Sequence, residues 1–98
     1  MIMKYNIPDR VLKDIITFAQ NNNIEKIILY GSRARGTHTM RSDIDLAVFG
    51  GMFDSFYQNV KENTHSLLTF DIVEVDSSIS DELKKEINRD GVVIYEKA

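Results

Sequence analysis

The chain has 98 residues, of which 43% are apolar and 28% charged, a balance typical of one folded domain rather than of a disordered or fibrous chain. The absence of cysteine excludes disulfide scaffolds, thiol catalysis and cysteine-ligated zinc. A net charge of −3 argues against broad, sequence-independent binding of nucleic acid. The start Met1–Lys4 lacks the apolar core of a signal peptide, and no segment approaches the roughly 20 apolar residues of a membrane span. We therefore expect a small cytoplasmic domain with no membrane partner.

The first half of the chain predicts a helix, a strand and a loop. Pro8 and Asp9 suit a first helical turn. Apolar residues then recur at helical spacing: Val11, Leu12, Ile15, Ile16 and Ala19. The apolar run 27–30 predicts a buried strand that stops at Gly31. The polar residues 32–42 predict a loop with room for one helical turn.

The second half predicts three more strands and two helices. Residues 43–49 predict a strand whose two faces alternate, with one set apolar (Ile44, Leu46, Val48) and the other set Asp43, Asp45 and Ala47. Residues 52–62 predict a helix, 67–75 a strand, and 92–95 a last strand. Before that last strand, a capping box and an apolar stripe predict a helix that ends near a glycine: Ser78 with Asp81, then Ile79, Leu83 and Ile87, then Gly91. This order predicts an α/β (α+β) fold, a small mixed sheet flanked by helices.

Three aspartates are candidates for a metal site. Asp43 and Asp45 share one face, about 7 Å apart along the strand, and repel each other unless a cation lies between them. The link to the next strand contains a helix, which suits a parallel crossover that would bring Asp71 level with the pair. Three carboxylates at one sheet end suit a two-metal Mg²⁺ site. The alternatives are a solvated sheet face for the pair and a turn-capping residue for Asp71.

Gly31 and Ser32 are candidates for phosphate binding. Glycine lets a ligand approach the backbone, while free amides and the Ser32 hydroxyl can hold a phosphate; the alternative is a tight turn. A Walker A loop is rejected, because Thr37-His38 follows Gly36 where Lys-Ser/Thr is required. Other polar and aromatic residues nearby have open roles. They are Arg33, Arg35 and Arg41, each a phosphate ligand or a solvated side chain, the bystanders His38 and His65, and the core or rim aromatics Tyr30 and Tyr95.

Gly31-Ser32, ten intervening residues and then Asp43-Ile44-Asp45 resemble the signature of the polymerase-β-like nucleotidyltransferase superfamily. The surrounding segments resemble the minimal nucleotidyltransferases of that superfamily: 29–36, 42–48, 70–73 and 91–96. The resemblance implies a single minimal nucleotidyltransferase domain over residues 1–98. It also implies that Gly31 and Ser32 hold the phosphates of ATP, that Asp43 and Asp45 ligate two Mg²⁺ ions, and that Asp71 binds the catalytic ion.

The same resemblance implies an acceptor. Minimal nucleotidyltransferases usually work beside a helical HEPN-domain ribonuclease toxin, and the implied reaction is transfer of AMP to a tyrosine of that toxin, in a hetero-oligomer with no direct contact to nucleic acid. Two alternatives stay open. One is an antitoxin that neutralises by binding alone, and the other is a small-molecule nucleotidyltransferase completed by a helical partner. The base preference, the number of AMP groups and the stoichiometry also stay open.

Overall fold

The computed structural model describes residues 3–4, 6–64 and 67–98; His65 lies outside them. Its elements in chain order are β1 (Met3–Lys4), β2 (Ile7–Pro8), α1 (Asp9–Asn21), β3 (Lys26–Tyr30), α2 (Ser32–Arg35), β4 (Ile44–Phe49), α3 (Phe53–Asn63), β5 (Phe70–Glu74), α4 (Asp81–Asp90) and β6 (Val92–Glu96). The short antiparallel pair β1–β2 was not expected from the sequence. The other elements follow the predicted order, although β5 is shorter than the predicted 67–75.

The main sheet has four strands in the order β5-β4-β3-β6. Strand β3 pairs antiparallel with both β4 and β6, while β4 and β5 are parallel. The mixed sheet and the parallel crossover through α3 are therefore confirmed.

Each face of the sheet carries its own apolar cluster. The larger cluster joins β4 residues such as Leu46 to residues of α1 and α3, including Ile15 and Phe56. The smaller one joins Tyr30 and Ala47 to Ile87 of α4. The predicted alternation along β4 is confirmed, since Leu46 and Ala47 belong to opposite clusters. The face that carries Ala47 and the predicted site is thus the one covered in part by α4.

The start of α4 corrects a prediction. The helix is capped by Ser80, whose hydroxyl accepts a hydrogen bond from the Leu83 amide at 3.1 Å. The expected capping box of Ser78 and Asp81 is wrong, because Ser78 donates its amide to Asp76 Oδ1 at 2.8 Å in a local turn. The carboxylate of Asp76 therefore holds Ser78 in a turn that precedes the helix, and Ser80 provides the cap.

Gly91 lies at the end of α4 as predicted, but for another reason. Its φ of −65° is open to any residue, so no left-handed cap is involved. A Cβ atom there would lie 2.2 Å from the carbonyl oxygen of Ile87 and 2.7 Å from Cγ2 of Ile28. Close packing of α4 on β3 is what requires glycine. Among the described helices, none combines the length and the apolar character that crossing a membrane would need.

Candidate active site

The predicted site residues meet at one end of the main sheet. Asp45 in β4 lies between Tyr30 of β3 and Asp71 of β5, each its direct partner across the strands. Asp43 comes directly before β4, and Gly31 directly after β3. Three adjacent strands therefore bring together the two motifs and the third aspartate, with Asp71 level with Asp45 as the sequence predicts.

Burial and like charges act together on Asp45. The pKa of its carboxyl is raised to about 6, first by burial and then by nearby negative charges. These charges belong, in order of effect, to Asp71, Asp43 and Glu86. The Arg35 guanidinium acts in the opposite direction and lowers that pKa. The end of the sheet is thus strongly negative, and a bound cation would relieve the repulsion.

Negative charges of the site also act on the phenol of Tyr30. Burial raises the pKa of its phenol to about 12, with further contributions from the charges of Asp71, Asp45 and Glu86. Sequence reasoning missed Glu86, because its effect depends on where α4 crosses the sheet and no motif marks it. Its charge makes a fourth carboxylate part of the electrostatics of the site.

Gly31 is in direct contact with the carboxylate of Asp45. Its φ is +76°, which favours glycine, and a Cβ atom would lie 2.2 Å from Asp45 Oδ2. The turn leads into α2, where the amides of Ala34 and Arg35 both donate to the Gly31 carbonyl at 3.1 Å. The earlier amides of a helical first turn have no partner within the helix, and this is the chemistry that phosphate oxygens accept. The structure thus places the predicted phosphate residues, Gly31 and Ser32, beside the predicted carboxylates.

The donor set fits Mg²⁺ by its chemistry, since hard oxygen ligands with uncompensated negative charge are what this ion prefers. The side chains are not yet grouped around one point: among residues 6–64 and 67–98, no three His, Cys, Asp or Glu side chains form a metal-binding group. Asp43 Oδ1 instead accepts a hydrogen bond from the Thr69 hydroxyl. Rotation of side chains is therefore needed before Asp43, Asp45 and Asp71 could share ions.

Arg33 is a structural residue and not a phosphate ligand. Arg33 is only 2% exposed, and its guanidinium donates to the carbonyls of Asn6 at 2.7 Å and Ser42 at 3.1 Å. The longer contacts to Thr39 and Met40, at 3.5 and 3.4 Å, follow the same loop. The Asn6 amide returns a hydrogen bond to the Arg33 carbonyl at 2.6 Å. Arg33 thus connects the N-terminal strands to the loop that leads to Asp43.

The other two loop arginines are at the surface. Arg35 pairs with Asp90 at the end of α4, with Nη1 3.0 Å from Oδ2. Arg41 lines an open groove of about 460 Å³ together with Met40, Leu67, Leu68 and Thr69. Since Thr69 also binds Asp43, this groove adjoins the carboxylates.

Residues 13–98 match the family model described as polymerase beta, nucleotidyltransferase. The chain belongs to the polymerase beta nucleotidyltransferase family. This membership assigns it to the nucleotidyltransferases, as the Gly-Ser and Asp-Ile-Asp motifs predict. No curated protein sequence matches it.

Solved structures share the nucleotidyltransferase fold of this chain. One, a toxin-antitoxin with AMP-PNP, has a TM-score of 0.69 and 24% identity, and the match covers 88% of this chain and 73% of that one. A mutant of the toxin-antitoxin MntA-HpeT has a TM-score of 0.68 and 22% identity over the same shares. A second MntA-HpeT mutant has a TM-score of 0.65 and 24% identity, covering 87% of this chain and 72% of that one. The predicted polymerase-β-like fold is thereby confirmed.

Proposed function

We propose that this chain, as a single minimal domain, is an Mg²⁺-dependent protein adenylyltransferase and the antitoxin of a toxin-antitoxin pair. It transfers AMP from ATP to a tyrosine hydroxyl of a HEPN-domain ribonuclease toxin. The observation that carries the proposal is the alignment of Asp45 with Asp71, beside Gly31, in a member of the polymerase beta nucleotidyltransferase family.

The nucleotide would lie across the end of the sheet. Gly31 and Ser32 would hold the terminal phosphates on the β3 side, while Asp43, Asp45 and Asp71 would hold two Mg²⁺ ions. When bound, these ions supply positive charge at both ends of the in-line displacement. Because the leaving group lies towards β3, the acceptor hydroxyl has to approach from the β5 side, where Asp71 is exposed.

In the proposed transfer, one bond to the α-phosphorus forms as another breaks. The tyrosine oxygen bonds to the α-phosphorus, the bond from that phosphorus to the bridging oxygen breaks, and pyrophosphate leaves. The hydroxyl proton passes to the carboxylate of Asp71, which is close enough to Asp45 to raise its pKa. Asp71 then returns the proton to solvent.

Two observations support a protein as acceptor. Met40 is 81% exposed and Leu67 is fully exposed, and both line the groove beside the carboxylates. Exposed apolar side chains grouped at one place favour a protein contact. Three solved structures that share this fold are of toxin-antitoxin proteins, one of them with AMP-PNP, which supports an adenine nucleotide and a toxin as the two substrates.

The test is transfer of label from α-labelled ATP to the purified toxin partner in the presence of Mg²⁺. We expect mass gains in steps of one AMP, lost with Asp43→Asn and kept with Asp54→Asn, a matched change on the exposed part of α3. No transfer by the wild-type pair would overturn the enzymatic proposal. Protection of cells by an inactive Asp43→Asn variant would instead indicate neutralisation by binding alone, and transfer to small hydroxyl compounds would indicate the small-molecule alternative.

The groove gives a separate prediction about the partner. Met40→Glu is expected to weaken binding of the toxin by about tenfold, because a charge replaces an exposed apolar contact, while nucleotide affinity stays unchanged. The matched control is Met52→Glu. Met52 is 52% exposed and lies just before α3, beyond the other end of β4. Titration calorimetry of each variant with the toxin measures the effect. Equal affinities for the two variants would show that the partner does not use this groove.

A further inference from the structure

An ion pair connects the second helix to the fourth beside the candidate site. Arg35 is the last residue of α2, and its Nη1 lies 3.0 Å from Oδ2 of Asp90, the last residue of α4. The Asp90 side chain is 8% exposed and that of Arg35 39%. Arg89 contacts the same carboxylate, with Nη2 2.8 Å from Oδ2 and Nε 3.1 Å from Oδ1.

Asp90 occupies an unfavourable position for a carboxylate. The C-terminal end of a helix carries partial negative charge, so an acid in the last turn is repelled there. Burial adds the cost of removing the carboxylate from water. Two arginines offset both costs and leave the group of Arg35, Arg89 and Asp90 with a net charge of about +1. This group therefore presents positive charge at the edge of a site that otherwise carries carboxylates.

Arg35 is well placed to act on a bound nucleotide. It lies three residues after Ser32 in a four-residue helix, a spacing that puts two side chains on the same side of a helical turn. Its positive charge already reaches the carboxyl of Asp45, whose pKa it lowers. A guanidinium has five N–H donors in a fixed plane, so a carboxylate that holds one edge leaves the other donors free and oriented.

We propose that Asp90 is a positioning residue for nucleotide binding: it holds Arg35 so that the remaining guanidinium donors face the phosphates of the nucleotide at Gly31 and Ser32. The inference rests on the proposed function, since it assumes a nucleoside triphosphate at this site. It makes α4 a part of the nucleotide site, although α4 carries none of the motif residues. If the ion pair of Arg35 and Asp90 had a purely structural role, exchanging the two residues would preserve that role, because opposite charges would still face each other.

The experiment measures the affinity of the full chain for AMP-PNP with Mg²⁺ by titration calorimetry. Asp90→Asn and Arg35→Ala should each weaken binding by about tenfold, as loss of a charge-assisted hydrogen bond predicts. The double variant should lose no more than either single one, and Asp90→Glu should recover most of the affinity. The control Glu82→Gln removes the same charge from an exposed position in the first turn of α4 and should leave binding unchanged.

The charge-swapped variant R35D/D90R separates positioning from stability. It restores the ion pair, so the thermal midpoint should recover relative to the single variants, while nucleotide affinity should stay low because a carboxylate now faces the phosphates. Recovery of both quantities would show a structural pair and overturn the proposal, as would an Asp90→Asn variant that binds like the wild type. If the wild type itself binds no AMP-PNP, the proposed function fails and the positioning role fails with it.

Discussion

Asp45→Asn is expected to stabilise the metal-free fold at pH 8 while reducing nucleotidyl transfer by about a thousandfold or more. The pKa of Asp45 is raised to about 6 in the folded chain, above its ordinary value of 3.8, so the folded state binds its proton more tightly than the unfolded state does. Stability therefore falls as the pH rises from about 4 to about 6, and the penalty is fully present above that window. Asparagine has nearly the same shape without the charge, and it should recover about 1 kcal/mol, a value reduced for the solvent that screens a half-exposed carboxyl.

Thermal unfolding of both proteins in a chelating buffer measures this effect. The gain from Asp45→Asn should be clear at pH 8 and should shrink as the pH is lowered towards 4. Mg²⁺ with AMP-PNP should raise the midpoint of the wild type and leave that of the variant unchanged. A variant that is less stable than the wild type at pH 8 would contradict the repulsion among Asp45, Asp71, Asp43 and Glu86.

Arg33→Ala is expected to cost about 3 kcal/mol of folding free energy, because it leaves four backbone carbonyls without their donor and opens a cavity where the buried side chain lay. Those carbonyls belong to Asn6 and Ser42 at short range, and to Thr39 and Met40 at longer range. Nucleotide affinity should also fall, since this loop leads directly into Asp43. Arg33→Lys should not rescue the loss, because a single ammonium group cannot donate to the Asn6 and Ser42 carbonyls at once, as the planar guanidinium does.

Chemical denaturation gives the free energy of unfolding, and Arg41→Ala is the matched control. Arg41 belongs to the same loop but is exposed, and its loss should change the stability by about 0.5 kcal/mol or less. A similar small effect for Arg33→Ala would mean that the buried guanidinium does not hold the loop in solution.

Local patterns were enough to predict most of the sheet and the meeting of the motifs. The alternation of Leu46 with Asp45 and Ala47 has a period of two, so one strand of sequence determines which side chains face together. The helix between β4 and β5 predicted their parallel pairing, and that pairing aligned Asp71 with Asp45.

Two further features depend on contacts between residues that are distant in the chain. Arg33 has the polar neighbours of a surface residue, yet its guanidinium donates to the carbonyl of Asn6, 27 residues away, as well as to carbonyls of its own loop. Glu86 acts on the site through the position of α4. The choice of Ser80 over Ser78 as the helix cap is local instead, because Ser78 donates to Asp76 two residues away and Ser80 accepts from Leu83 three residues away. No local spacing encodes the approach of Asn6 to Arg33 or the position of Glu86 beside the site.

The position of β5 has a consequence for which acceptors the site can serve. This strand, which carries Asp71, is one of the two edge strands of the four-stranded sheet. Among the described residues no further strand flanks β5, so at the proposed site a large folded protein would be able to present a hydroxyl without first being unfolded or threaded into a cavity. Because the site is open, the choice of acceptor would depend on how well the acceptor's surface fits the surface around the site. Specificity for the acceptor would then depend on the surfaces of both this chain and the acceptor. A substitution on either surface would change which acceptor is modified, with the carboxylates of the site unaltered.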